Sequence, residues 1–275
     1  MWWRWLVRAP RYLQARMDAN VLHDRRVRLF VVLGGFFVAN AVIAEMIGVK
    51  LFQLEELLGL PKAHLTLLGQ SGLSFVLSVG VLPWPVVFIV TDVVNDYYGV
   101  RGVRLLTLLT TALIAFMFTA LYLAIGMPPD RGWWLGSSAA AGVPDMQAAF
   151  TAIFGQGLNI IVGSLTAFVI GQLVDALIFR RLKRLTGDRR IWLRATGSTL
   201  VSQFMDSIVV TYVAFWLLRD MSFAMATALA LTAYAYKFVV ALLSTPLVYV
   251  AHWAIGRYLG PERAAAMRKA ALEGR

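Results

Sequence analysis

From Val103 to Met127 the chain runs through 25 residues with one charge, Arg104, near the start. A helix needs about 20 predominantly apolar residues to cross the hydrocarbon core of a bilayer. Lipid offers no partner to an unpaired backbone group, so such a run is confined to a helix or a closed barrel. Five further apolar windows obey the same rule, and together they predict spans at roughly 29–48, 71–98, 103–127, 147–179, 193–218 and 222–255. The sequence therefore predicts an all-α membrane protein with six transmembrane helices in one unit, residues 29–255. Residues 1–28 read as a basic, aromatic interfacial segment, and 256–275 as a cytoplasmic basic tail.

Lysine and arginine decide the orientation. Residues 1–28 carry seven, Arg101 and Arg104 make two, the 180–194 loop holds seven, and the tail from Arg257 holds five. The segments assigned to the opposite side hold only Lys50, Lys62, Arg131 and Arg219. This asymmetry places both termini in the cytoplasm, as an even number of spans requires. The same clustering explains the net charge of +11, so the basic residues report topology and no nucleic-acid partner is implied. The chain has no cysteine, which removes disulfides, thiolate metal sites and cysteine nucleophiles.

Two spans carry irregularities. Gly80-Val-Leu-Pro-Trp-Pro85 lies inside the second, where two prolines remove backbone donors and restrict the residue before each. Either a simple kink or a discontinuous, site-building helix satisfies this pattern. The fourth carries Gly155, Asn159, Gly163, Ala167, Gly171 and Asp175 at four-residue intervals, a ridge suited to close helix packing. The third span is uniform enough to face lipid over most of its length.

Polar residues inside these spans are costly and are therefore candidates for function. Gly171-Gln-Leu-Val-Asp175 and Ser202-Gln-Phe-Met-Asp206 repeat a Gln-x-x-Asp unit, and residues three apart share a helical face. Asp206 lies 12 residues beyond Arg194, roughly 18 Å along a helix at about 1.5 Å per residue. Lys237 lies 20 residues before Arg257, about 30 Å by the same rise. Both belong near the middle of the membrane with Asn40, Gln156 and Asn159, and an Asp206–Lys237 ion pair follows as a hypothesis. Asp92, Asn95, Asp96 and Asp175 fall nearer the cytoplasmic end. Asp96 is expected to cap its helix and pair with Arg101 or Arg104, while Glu45 is expected at the outer interface near Lys50.

Enzyme signatures are scarce. No P-loop, H-E-x-x-H or G-x-S-x-G pattern occurs, and His23, His64 and His252 are scattered. Neither a catalytic set nor a cofactor or metal is predicted.

Ala39-Asn40, the run Trp84 to Gly99 with Asp92, Asn95 and Asp96, Ser164 to Asp175, Trp192-Leu-Arg194, Ser202-Gln203, Asp206, Lys237 and Thr245-Pro246 occur in order. This series resembles the queuosine precursor transporter family, also called the vitamin uptake transporter family. The resemblance implies a multi-pass carrier of the bacterial inner membrane that imports 7-deazaguanines, with a fold similar to the substrate-binding components of energy-coupling-factor transporters. On that basis Asn40, Phe88, Asp92, Asn159, Gln172, Asp175, Gln203, Asp206 and Lys237 are the candidate substrate-binding residues. The partners implied are a modified purine base and the lipid bilayer; a homo-oligomer and an external ATPase module stay open. Two alternatives also stay open: a substrate-binding subunit served by a separate ATPase, and an intramembrane enzyme using Asp92 and Asp206.

Overall fold

The computed structural model describes residues 24–130, 142–187 and 190–273. Most of the N-terminal interfacial segment read from the sequence lies outside them. Helix α1 spans Arg25–Ile47, α2 Trp84–Ile125, α3 Met146–Phe154, α4 Leu158–Thr186, α5 Ile191–Thr211, α6 Phe223–Leu259 and α7 Pro261–Glu273. Strands β1 (Leu51–Gln53), β2 (Leu65–Leu67), β3 (Gln70–Leu73) and β4 (Val76–Ser78) make two antiparallel pairs, β1 with β4 and β2 with β3. Among the described residues, five helical stretches are long and apolar enough to cross a membrane: Arg25–Ile47, Val79–Ile125, Met146–Thr186, Ile191–Leu217 and Phe223–Leu259. The molecule is an all-α, multi-span membrane protein carrying one small β-structured connection.

The count differs from the six separate spans of the sequence reading because no loop divides the second from the third. Instead Gly99 adopts φ 69° and ψ −175° inside α2, a conformation essentially reserved for glycine. A Cβ on Gly102 would lie 3.2 Å from Val94 Cγ1. Residues eight apart in a straight helix stand about 12 Å apart along the axis, so α2 folds back at Gly99 into two arms, 84–98 and 100–125. Val87, Val90 and Val94 of the first arm then share a core with Val103, Leu106, Ile114 and Phe118 of the second. The outer face of the second arm, including Phe116 at 70% exposure, is left to lipid.

Two other boundaries move. Residues 71–78 are not the start of a span but the edge of the β-structured connection. Pro83 is the N-cap of α2 and Pro85 sits in its first turn, where a missing N–H is harmless and the fixed φ suits a helix. The prolines start the helix rather than break it. The discontinuous span is the fourth. Gly155 (ψ 52°) and Gly157 (ψ 138°) leave helical geometry between α3 and α4, and Gln156 Nε2 donates to Glu45 O at 3.0 Å.

Packing between spans follows small residues, since lipid tails are as apolar as leucine and supply no hydrophobic drive. A Cβ on Gly163 of α4 would lie 2.7 Å from the Cβ of Ala214. Ala214 belongs to a π-helical turn, Tyr212–Leu217, that ends the α5 span. Asn159 Nδ2 donates to the carbonyl of Ala214 at 3.0 Å, satisfying backbone that the widened turn frees.

Candidate functional site

Two hydrogen bonds fix how the first arm of α2 meets α4. Thr91 Oγ1 donates to Gln172 Oε1 at 2.8 Å, and Asn95 Nδ2 donates to Ala176 O at 3.0 Å. Both join residues 81 apart in sequence, so the two helices run parallel and in register. That register puts Asp92 and Asp175 about two residues apart along the shared interface, roughly 3 Å at helical rise. Asp92 is 2% and Asp175 3% exposed.

A cavity of about 680 Å³ opens beside this interface, walled by α1, the first arm of α2, α4, α5 and α6. Seven of the nine sequence candidates line it: Phe88 and Asp92 from α2, Gln172 and Asp175 from α4, Gln203 and Asp206 from α5, and Lys237 from α6. The two Gln-x-x-Asp units thus stand on neighbouring helices of one cavity. Gly171 packs directly against Asp206, where a Cβ would stand in ordinary contact with Asp206 Cβ at 3.6 Å.

The other two candidates do not reach the cavity wall. Asn40 turns back on its own helix, its Nδ2 donating to Phe36 O at 2.8 Å. Asn159 is occupied with the π-helical turn described above. Depth along a span was the signal that selected both, and depth does not encode which way a side chain faces.

The polar groups of the cavity differ in how far the protein satisfies them. Lys237 Nζ lies 2.5 Å from Asp206 Oδ2, with the two side chains 22% and 23% exposed. Asp175 Oδ1 accepts from Ser202 Oγ at 3.1 Å. Asp175 Oδ2 and Asp92 Oδ1 are buried and, among the described residues, meet no hydrogen-bond donor. A buried carboxylate oxygen left in this state costs free energy until a donor arrives. On one side Trp84 and Phe88 stack with ring centroids 5.9 Å apart, and Phe168 lies 5.7 Å from Trp84. The cavity therefore offers a flat aromatic wall, acceptors in need of donors, and amides able to do both.

Glu45 was missed. It lies two residues before the end of α1 and is buried at 9% exposure. It lines the cavity and accepts from Ser164 Oγ at 3.1 Å. Counting residues from Lys50 put it at an interface, but the chain after α1 folds back so that Gly48, Ser78 and Gly80 close over that end. Asp96 also departs from expectation. Its carboxylate meets Lys183 Nζ at 2.7 Å, Arg194 Nη2 at 3.1 Å and His252 Nε2 at 3.2 Å, while Arg101 and Arg104 are exposed. This cluster ties α2, α4, α5 and α6 together one helical turn from Asp92.

Among curated proteins, a "Probable queuosine precursor transporter" of Bacillus subtilis is 31% identical over 175 residues, 63% of this chain and 71% of that one. The "Queuosine precursor transporter" of Escherichia coli is 28% identical over 156 residues, 56% of this chain and 62% of that one. A "Probable queuosine precursor transporter" of Haemophilus influenzae is 21% identical over 210 residues, 74% and 78% of the two chains. No solved structure matches the chain. The family model described as "Putative vitamin uptake transporter" matches residues 78–251, a stretch running from the end of β4 to the last turns of α6 and holding every cavity helix except α1. The chain belongs to the vitamin uptake transporter family and is a multi-pass membrane transporter, not an enzyme.

Proposed function

We propose that the protein imports a queuosine precursor, a 7-deazaguanine base, across the bacterial inner membrane, and that the 680 Å³ cavity is where the base binds. The observation that carries this reading is the pair of buried carboxylate oxygens without donors beside a flat aromatic wall. A 7-deazaguanine presents a 2-amino group and a ring N–H beside a carbonyl oxygen. A carboxylate accepts from the amino and N–H edge, and a glutamine amide answers the carbonyl. Trp84, Phe88 and Phe168 supply the stacking surface, an interaction worth about 1–3 kcal/mol per base.

Within this reading Asp92 and Asp175 bind the hydrogen-bonding edge, helped by Gln172 and Gln203. Asp206 is already engaged by Lys237 and shapes the cavity's field rather than holding the base. The two arms of α2, counted separately, give six crossings. With 21 of the basic residues on one side against four on the other, both termini then face the cytoplasm. The single chain is proposed to suffice, without a separate ATPase. The test is uptake of a labelled 7-deazaguanine by liposomes containing only this protein. Uptake that is saturable and falls at least tenfold in Asp92→Ala or Gln203→Ala protein supports the reading. Uptake that appears only after an ATPase module is added overturns it.

A further inference from the structure

Four carboxylates line the cavity, Glu45, Asp92, Asp175 and Asp206, against one basic residue, Lys237. Lys237 is committed to Asp206 at 2.5 Å. Below, one helical turn from Asp92, Asp96 is already engaged by Lys183, Arg194 and His252. Asp92 and Asp175 line the same cavity from α2 and α4, offset by only about two residues, roughly 3 Å, in axial position, each almost wholly buried and each with an oxygen that receives no hydrogen bond from the described residues. Two ionised carboxylates sharing an apolar site repel one another and lose their hydration together, and a shared proton relieves both penalties.

We propose that Asp92 and Asp175 share one proton, and that this proton enters with each base and is released to the cytoplasm, making the protein a proton-coupled importer. The proposal rests on the base-binding role given to the cavity above. Its chemistry follows from the edge being bound. Two ionised carboxylates offer acceptors only, whereas the base edge carries donors and one carbonyl acceptor. A carboxylate beside a carboxylic acid offers both: oxygens accept from the amino and ring N–H groups, and the acid O–H donates to the carbonyl. The pair therefore meets both kinds of group on the edge once one O–H bond forms, its O–H and a glutamine amide taking the two lone pairs of the carbonyl, with the proton drawn from the outer medium. Dissociation of the base on the inner side removes the acceptor of that O–H, and the proton leaves to water. The charged and titratable groups around the pair are Glu45 on α1, Asp206 on α5, and Tyr236 and Lys237 on α6, which line the same cavity, and Asp96 on α2 with its partners Lys183 on α4, Arg194 on α5 and His252 on α6.

The test uses the full chain in liposomes with the membrane potential clamped at zero, labelled 7-cyano-7-deazaguanine as probe, and a pH-sensitive dye in the lumen. With the outside one pH unit more acidic, one proton per base gives about tenfold accumulation of the probe, and probe addition acidifies the lumen. Asp92→Asn and Asp175→Asn remove the shared proton and abolish probe-dependent acidification. Equal uptake with and without the gradient, and no acidification, overturns the coupling while leaving the transport reading standing. So does gradient-driven acidification that persists in both Asn variants. No uptake under any gradient removes the transport reading and this proposal with it. Should neither variant be recovered folded, the dye signal of the unaltered protein decides alone.

Discussion

Arg194 and Asp96 meet inside the protein, Nη2 to Oδ2 at 3.1 Å, with neither side chain exposed. Lys183 completes the arrangement at 2.7 Å from the other carboxylate oxygen, and its ammonium also reaches Asp96 O and Arg268 O. Neutralising the carboxylate takes the shared anion away from two buried cations, a loss of about 3–5 kcal/mol. Asp96→Asn should therefore lower the thermal midpoint in detergent sharply. Arg101→Ala and Arg104→Ala, at exposed positions, should stay within about 0.5 kcal/mol of the parent. A large loss in either arginine variant would return Asp96 to the partners that sequence spacing suggested.

That contrast shows where sequence was informative. The apolar runs and the distribution of arginine fixed which segments are buried in the membrane, because both depend on composition along one dimension. Six of the seven cavity residues, all but Phe88, were legible for the same reason: a charged or amide side chain in lipid is expensive wherever it points. Partner choice was not legible. Asp96 finds Lys183, Arg194 and His252, 87, 98 and 156 positions away, and no local pattern records those distances. Asn40 and Glu45 were misjudged together, since five residues of one helix separate a side chain bonded to its own turn from one facing the cavity. The reversal at Gly99 was hidden because a single glycine makes the turn that a loop would otherwise make.

Lys237 and Asp206 should behave as a unit. Each is only about a fifth exposed, so either neutral variant leaves its partner's charge poorly compensated. Asp206→Asn and Lys237→Met are each expected to cut uptake of a 7-deazaguanine at least tenfold at matched protein level. The charge swap Asp206→Lys with Lys237→Asp should recover folding beyond either single variant. A swap that melts no higher than the worse single variant would show that the two groups act separately.

The β-structured connection has its own acid sensitivity. Glu55 Oε1 accepts from Phe75 N at 3.0 Å and Ala63 N at 3.4 Å, and these bonds hold its carboxyl below the usual 4.5. A depressed value in the folded state contributes stability above the unfolded value, and that contribution is lost as pH falls through the folded one. Protection of the Phe75 and Ala63 amides against hydrogen exchange should be constant from pH 7 to about 5 and fall below about 4. In Glu55→Gln protein the protection should be lower throughout and flat with pH. Acid loss that persists in the Gln variant would assign the sensitivity to another group.

Gly99 couples the reversal of α2 to the C-terminal helix. At φ 69° and ψ −175°, any side chain is strained there, at about 1–3 kcal/mol. The position is also crowded, because a Cβ would lie 3.0 Å from Ala271 O of α7. Gly99→Ala should thus destabilise through two separable causes. Ending the chain after Gly260 deletes α7 and with it the crowding, while the backbone strain stays. The Ala variant should accordingly cost less in the shortened chain than in the full one, measured against each parent by thermal melting. Shortening alone has a cost too, since it uncovers the packing of Ala264 and Met267 against Tyr97 and Leu259 and takes away the Arg268 carbonyl bonded to Lys183. That cost is common to both shortened chains and cancels in the comparison. An equal penalty with and without α7 would place the whole effect in the backbone of the turn and none in its contact with the C-terminal helix.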